Sequence, residues 1–594
     1  MVRRRSPWLP TRVPLTVALA LTAIAGASCR WSDRAPSGAT EPDGIPPIPG
    51  GMRPGRLGNR FAYIPAQCYT ATRDGGEHGA VHNPCYACHI HSIAPNFVDD
   101  GDLQLAFTLP AGAADNPWRN LFAPPVTRQP RESDAEVLAR VRAGNYFDRS
   151  GRIALARRLR ALPPAWDGEG DRRWDGYLPD AWFHFDGRGF DRGDDGAATG
   201  WRAFGYAPFL GTFFPTNGSM DDVLIRLDPA LRQDAHGRWD QGIYELNLAV
   251  VEALITRADV AIDPVDERTV QTDLDLDGRL DTATQVSFDA PREDRAVMHY
   301  LGRARAMQDR GSFPLEPGLF PLGTEFLHSV RYLDLDGAGA VVMAARLKEL
   351  RYAKKTRWLT PADLARKASA EITEQAESPD GALEYLWQFD RGIFNGQGWL
   401  FQGFIEAADG QLRPQSYEET LACAGCHGGI GATTDSVFSF PRKLGAGAPA
   451  RGWFHFSQHC LRGLPEPRRR DGAPEYSLYL TTNGAGDELR ENREVQQRFF
   501  DGAGRPRAEA FARLHRDMGE LLLPSAARAL DLDRAYGAIV REQSFTAGRD
   551  AVLAASQHVL RHVPVGEKTG VEKALRGPEE AAAGTTRVGL RSAR

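Results

Sequence analysis

The stretch Cys423-Ala424-Gly425-Cys426-His427, with its earlier counterpart Cys85-Tyr86-Ala87-Cys88-His89, decides the reading of this 594-residue chain. Both have the form C-x-x-C-H, in which two thiols three positions apart stand beside an imidazole. That spacing suits covalent attachment of a c-type haem, because the thiols can form thioethers to the two vinyl groups of one porphyrin while the adjacent histidine ligates iron from the proximal side. Each copy therefore offers two tethers, Cys85 and Cys88 or Cys423 and Cys426, and one iron ligand, His89 or His427. With 7 Cys and 14 His in the chain, roughly 0.002 copies are expected by chance, so two are not accidental. A zinc knuckle and a thioredoxin-like redox pair also use C-x-x-C, but zinc needs four ligands per site and Cys85 and Cys423 are 338 positions apart.

Moving outward to the N-terminus, Arg3, Arg4, Arg5 and Arg12 precede an apolar run from Val13 to Ala25 and then small residues. This is the order of a secretory signal, and the run is too short to be a stable membrane span. Ala25-Gly26-Ala27 suits an ordinary signal peptidase, whereas Gly26-Ala27-Ser28-Cys29 resembles a lipoprotein processing site, with Gly26 where leucine is usual. The two readings predict, respectively, a soluble periplasmic protein and one held at a membrane by lipid on Cys29. Either way the chain is expected to be bacterial and exported, periplasmic or outer-membrane-anchored, crossing unfolded so that its thiols can meet haem.

Composition is that of a folded globular protein, and its charge excludes a nucleic-acid footprint. The first 28 residues carry four arginines and no acid, so removing them takes the net charge from −5 to −9. Of the seven cysteines, four belong to the haem motifs and Cys29 to processing, which leaves Cys68 and Cys460. In an oxidising compartment these two either pair as a disulfide or stand as unrelated buried thiols.

The organisation expected is a signal over 1–28, a Pro/Gly-rich tether over 29–58, a first haem region over 59–166, an α+β middle region over 167–357, a second haem region over 358–564 and a flexible tail over 565–594. The fold class read from this is mixed but predominantly α-helical, with long ordered loops and the two haem regions flanking the middle one. Ser133-Asp134-Ala135-Glu136 reads as a capping box opening a helix, and Thr360-Pro361 as an N-cap with proline at the first helical position. Helices are also predicted over 243–257, 508–522 and 525–543, and a strand over 223–227. An aromatic-rich stretch that includes Phe183, Trp201, Phe204 and Tyr206 reads as core.

The middle region carries a second motif. Asp273-Leu274-Asp275-Leu276-Asp277-Gly278-Arg279-Leu280-Asp281 places acids at positions 1, 3, 5 and 9 and glycine at 6, as a calcium loop does. Asp273, Asp275, Asp277 and Asp281 are the expected ligands. Thr284 stands at position 12 instead of the usual bidentate glutamate, and a solvated acidic turn is the competing reading. Asp334-Leu335-Asp336-Gly337 reads as a strand-ending turn.

With these motifs the chain resembles a di-haem c-type cytochrome, a likeness carried by two pentapeptides. The resemblance implies two haem c groups, redox partner proteins in the periplasm or at the outer membrane, and a sixth iron ligand from elsewhere in the chain. Methionine is scarce near both motifs, so histidines are the candidates: His78 and His82 near the first, His328, His455 and His459 for the second. Saturated irons suit electron transfer. The alternative is a di-haem peroxidase or oxygenase in which one iron keeps an open face and an acid or base such as Glu325, His328, Gln402 or Glu406 stands nearby, the aromatic patch then binding an apolar substrate.

Overall fold

The computed structural model describes residues 57–70, 85–90, 92–96, 101–168, 170–209, 215–290, 298–469, 472–483, 490–571 and 574. Its centre is a long antiparallel hairpin. Strand β7, Glu325–Leu335, turns at Asp336 and returns as β8, Val341–Lys355. The Asp336 carboxylate accepts from the amides of Ala338 and Ala340, at 2.9 and 2.8 Å, which makes the Asp-x-Asp-Gly segment the strand-ending turn its sequence suggests.

Around this hairpin stand β1 (Phe190–Arg192), β2 (Ala198–Ala203), β3 (Met220–Asp221), β4 (Leu224–Arg226), β9 (Leu386–Gln388), β10 (Gly392–Phe394), β11 (Trp399–Glu406) and β12 (Leu412–Pro414). They form one ten-stranded antiparallel sheet in the order β1-β2-β4-β7-β8-β11-β10-β9, with β3 on β7 and β12 on β11. A separate hairpin pairs β5 (Val260–Asp266) with β6 (Thr282–Val286).

This sheet overturns the expectation of a predominantly α-helical chain. Strand β8 contains Met343, Ala344, Ala345, Leu347, Lys348, Glu349 and Leu350, all good helix formers, yet pairs along its length with β7 and β11. Non-local pairing and burial override a weak local preference there. The sheet also spans the regions expected to be separate, since β9 to β12 come from beyond residue 357.

Register assigns the two faces. Phe326, Ala353 and Phe401 share one row, and His328, Arg351 and Gly403 the next row of the same face. Phe326, Ala353, Trp399 and Phe401 lie there in one core, where the Phe326 and Trp399 rings meet Phe320, which in turn meets Phe440. Leu327, Leu350, Tyr352, Leu400 and Phe404 point the other way, into a second core with Trp166, Trp174 and Trp201. Both faces are buried, so the strands lack the clean alternation that would have betrayed them. The aromatic stretch is core as expected, with Phe183, Trp201, Phe204 and Tyr206 all buried.

The helix starts are as the sequence indicates. Ser133 and Glu136 form a reciprocal capping box on the helix Asp134–Arg142, and Thr360 and Asp363 do the same on Pro361–Glu377. Segments far apart in the chain interlock: Phe107 and Thr569 donate to the carbonyls of Glu567 and Leu105. Among the described residues no helix is long and apolar enough to cross a membrane.

Candidate functional site

The second motif closes the helix Tyr417–His427, and its position is fixed at both ends. At the start, Ser416 and Glu419 form a capping box, while the Arg413 guanidinium on β12 grips the Glu419 carboxylate in two bonds of 2.8 and 2.7 Å. Both side chains are essentially unexposed, so this pair ties the motif helix to the sheet. In its second half the helix meets Tyr63: a Cβ added to Gly425 would overlap the Tyr63 carbonyl, so only glycine lets the segment Phe61–Tyr69 lie against the motif. Leu421 and Ala424 complete that contact with Phe61, Tyr63, Ala66 and Tyr69.

His427 is held in one tautomer. Its Nδ1 lies 2.7 Å from the Ser436 carbonyl, an acceptor only, so Nδ1 carries the proton and Nε2 presents its lone pair. The carbonyl is aimed by left-handed backbone at Asp435 and Ser436, where φ is 50° and 64°. Asp435 is in turn bonded to the buried Lys355 ammonium and accepts from the Phe320 amide at 2.9 Å. Phe401 stacks on the His427 ring with centroids 4.7 Å apart. Burial pushes the imidazole down to about 4, against the Ser436 bond and with help from the Arg351 cation, so it is neutral at physiological pH.

The first motif forms the short helix Cys85–Cys88. The Ala432 amide, five residues beyond His427, donates to the Cys88 carbonyl at 3.1 Å. Asn96 donates to the Thr433 carbonyl at 2.9 Å, and Gln104 to the His89 carbonyl at 2.7 Å. Two pentapeptides far apart in sequence are therefore neighbours. Cys68 lies among them: burial first, then the nearby thiols of Cys85 and Cys426, push its thiol well up. Cys68 and Cys460 do not form a disulfide with each other, which leaves the second of the two readings, separate thiols.

The donor set fits covalent haem. Cys423 and Cys426 sit on the last turn of one helix, the adjacent histidine has its tautomer fixed, and cations stand by. Burial raises the Cys423 thiol, and the nearby Arg351 and Arg549 guanidinium groups oppose that rise. Both arginines are bonded to the buried Glu349 carboxylate, at 2.8 and 3.3 Å. A zinc site built on the thiols does not form: among the described residues, the only three ligand groups within 4.8 Å of one another are Glu267, Asp273 and Asp275.

The distal candidates separate sharply. His78 and His82 lie outside the described residues, as does Cys29. His455 is fully buried, but its Nδ1 accepts from the Ser457 amide at 3.1 Å and its Nε2 contacts Asp222 at 2.8 Å, so neither nitrogen can serve iron. His459 is exposed, its ring set edge-on to Phe454. His328 shares the Phe401 face of the sheet. Of the acid–base candidates, Glu325 and Gln402 occupy the opposite face, the former bonded to Arg226 and Tyr352, the latter to the Tyr177 amide, and Glu406 is bonded to Tyr332 and Arg346.

The acidic loop is regrouped. Asp273 and Asp275 converge with Glu267, while Asp277 and Asp281 are exposed, Asp277 accepting from the Arg279 amide. Glu267 is fully buried and accepts from the Asp281 amide at 3.1 Å. From six residues upstream of Asp273 it brings a third carboxylate to the cluster, which no loop pattern reveals. Oδ1 of Asp273 is buried with no hydrogen-bond partner.

Comparison with known proteins gives the class. The model of a family described as "-like lipoprotein" matches residues 52–512, most of the chain, and the chain belongs to that family of lipoproteins. A relative from Aquifex aeolicus (strain VF5), named "Uncharacterized lipoprotein", is 29% identical over 570 residues, covering 86% of this chain and 90% of the relative. Membership makes this an exported, membrane-associated bacterial protein. No solved structure matches.

Proposed function

We propose that this lipoprotein carries two covalent c-type haems and transfers single electrons between partner proteins at the periplasmic face of a membrane, anchored through lipid on Cys29. The observation that carries the reading is the hydrogen bond from Ala432 to Cys88, which sets the two motifs side by side. Bound haem would supply a one-electron iron couple whose potential depends on its axial ligands and surroundings. The chain's own residues would tether the group through the two cysteines of each motif and hold the His427 imidazole through Ser436. Glu325, Gln402 and Glu406 are committed to structural bonds away from His427, which favours a relay over peroxide or oxygen chemistry. The test is the optical and EPR spectrum of the purified oxidised protein: two low-spin irons support the relay, and a high-spin iron that binds cyanide or reacts with peroxide favours the di-haem peroxidase or oxygenase reading.

A second reading concerns calcium. Glu267, Asp273 and Asp275 bring three carboxylates together, and a buried Asp273 oxygen without a donor favours a hard cation over a solvated turn. We infer a structural Ca2+ at this hairpin, tested by calcium titration of the thermal midpoint.

A further inference from the structure

We infer that His328 is the distal axial ligand of the iron whose proximal ligand is His427, an inference that rests on the two-haem reading above. In the β7–β8 ladder His328 stands opposite Arg351, and the same row continues to Gly403 on β11. The adjacent row on that face is Phe326, Ala353 and Phe401, and Phe401 stacks on His427. His328 and His427 therefore approach one patch of the sheet, one from the sheet itself and the other from the helix lying over it.

The strand that carries His328 is also held in place at its neighbour Ser329. Asp222 is locked in place. Its carboxylate accepts from the Ser329 amide at 2.7 Å and from His455 at 2.8 Å, and its amide donates to the Ser329 carbonyl at 3.3 Å. His455, with both nitrogens occupied, is then a positioning residue that acts on this strand through Asp222 and Ser329, next to His328. Across the ladder His328 faces Arg351.

The experiment uses the full-length holoprotein and the variants His328→Ala, His328→Met and His455→Gln, read by haem count, EPR and near-infrared magnetic circular dichroism. With two haems retained, His328→Ala is expected to convert one of two low-spin signals to high-spin, open that iron to cyanide, and recover the low-spin signal on adding imidazole. His328→Met should replace a bis-histidine charge-transfer band by a histidine–methionine band, and decides the matter if the alanine variant fails to accumulate. His455→Gln should broaden the same low-spin signal without abolishing it. Low-spin signals unchanged in both His328 variants, or a high-spin iron in the wild type that neither variant alters, would overturn the assignment while leaving the haems in place. A wild-type chain without haem ends the parent reading instead.

Discussion

The Ala432 amide donates to the Cys88 carbonyl at 3.1 Å, so the backbone following the second C-x-x-C-H motif is bonded directly to the first. Charge on either bound group must then be felt by the other. Replacing Cys85 and Cys88 by alanine should leave one haem per chain and shift the midpoint potential of the survivor by tens of millivolts, the scale of one charge acting at close range through a partly buried medium. Redox titration of the double variant against wild type checks this; an unchanged potential would mean the two sites do not sense each other.

Gly425 is the point at which the segment Phe61–Tyr69 touches the motif helix. Gly425→Ala places a methyl group on the Tyr63 carbonyl, where backbone must move to accept it. A loss of about 1–3 kcal/mol is expected, as for overpacking elsewhere, together with poorer haem loading at the second motif. Thermal unfolding and haem content measure the two effects.

Arg413 and Glu419 form a buried two-bond ion pair. Removing one partner leaves an unpaired buried charge, so Arg413→Leu should cost about 3–5 kcal/mol. The double variant Arg413→Leu, Glu419→Leu should recover part of that loss. Denaturant midpoints of the three variants close the cycle.

His455 gives the stability a sign in pH. Burial lowers its imidazole below the ordinary range, against the pull of Asp222. The folded chain then resists a proton that the unfolded chain takes up near the ordinary value of about 6.5, so this contribution is present above that pH and is lost as pH falls below it. Asp222 adds to the same limb at lower pH: burial alone would raise its carboxyl, but bonds from His455 and Ser329 and the charge of Arg331 hold it below its usual range. His455→Gln should lower stability at neutral pH and flatten the decline between pH 6.5 and 5, measured by denaturant unfolding across that window.

Calcium should raise the thermal midpoint of the wild type and not that of Glu267→Gln, in which the buried carboxylate of the acidic hairpin is neutral. An equal response in the two proteins would leave the cluster as an acidic turn.

The residues legible in the sequence were those whose partners are local. Ser133 with Glu136 and Thr360 with Asp363 are three positions apart. What escaped depended on distance along the chain. Strand β8 carries helix formers and is buried on both faces, so neither propensity nor alternation marked it. Glu267 lies outside the loop it joins. His455 was a credible ligand until Asp222, 233 residues away, was found on its Nε2. His328 and Glu325, three residues apart, lie on opposite faces of one sheet through strand register.

The most direct test of the account is a haem count on the purified full-length chain, by pyridine haemochrome spectrum and intact mass, beside the variants Cys85→Ala/Cys88→Ala and Cys423→Ala/Cys426→Ala. Two covalently bound haems in the wild type and one in each variant are predicted. A wild-type chain that matures in a haem-c-competent host with no covalent haem would contradict it.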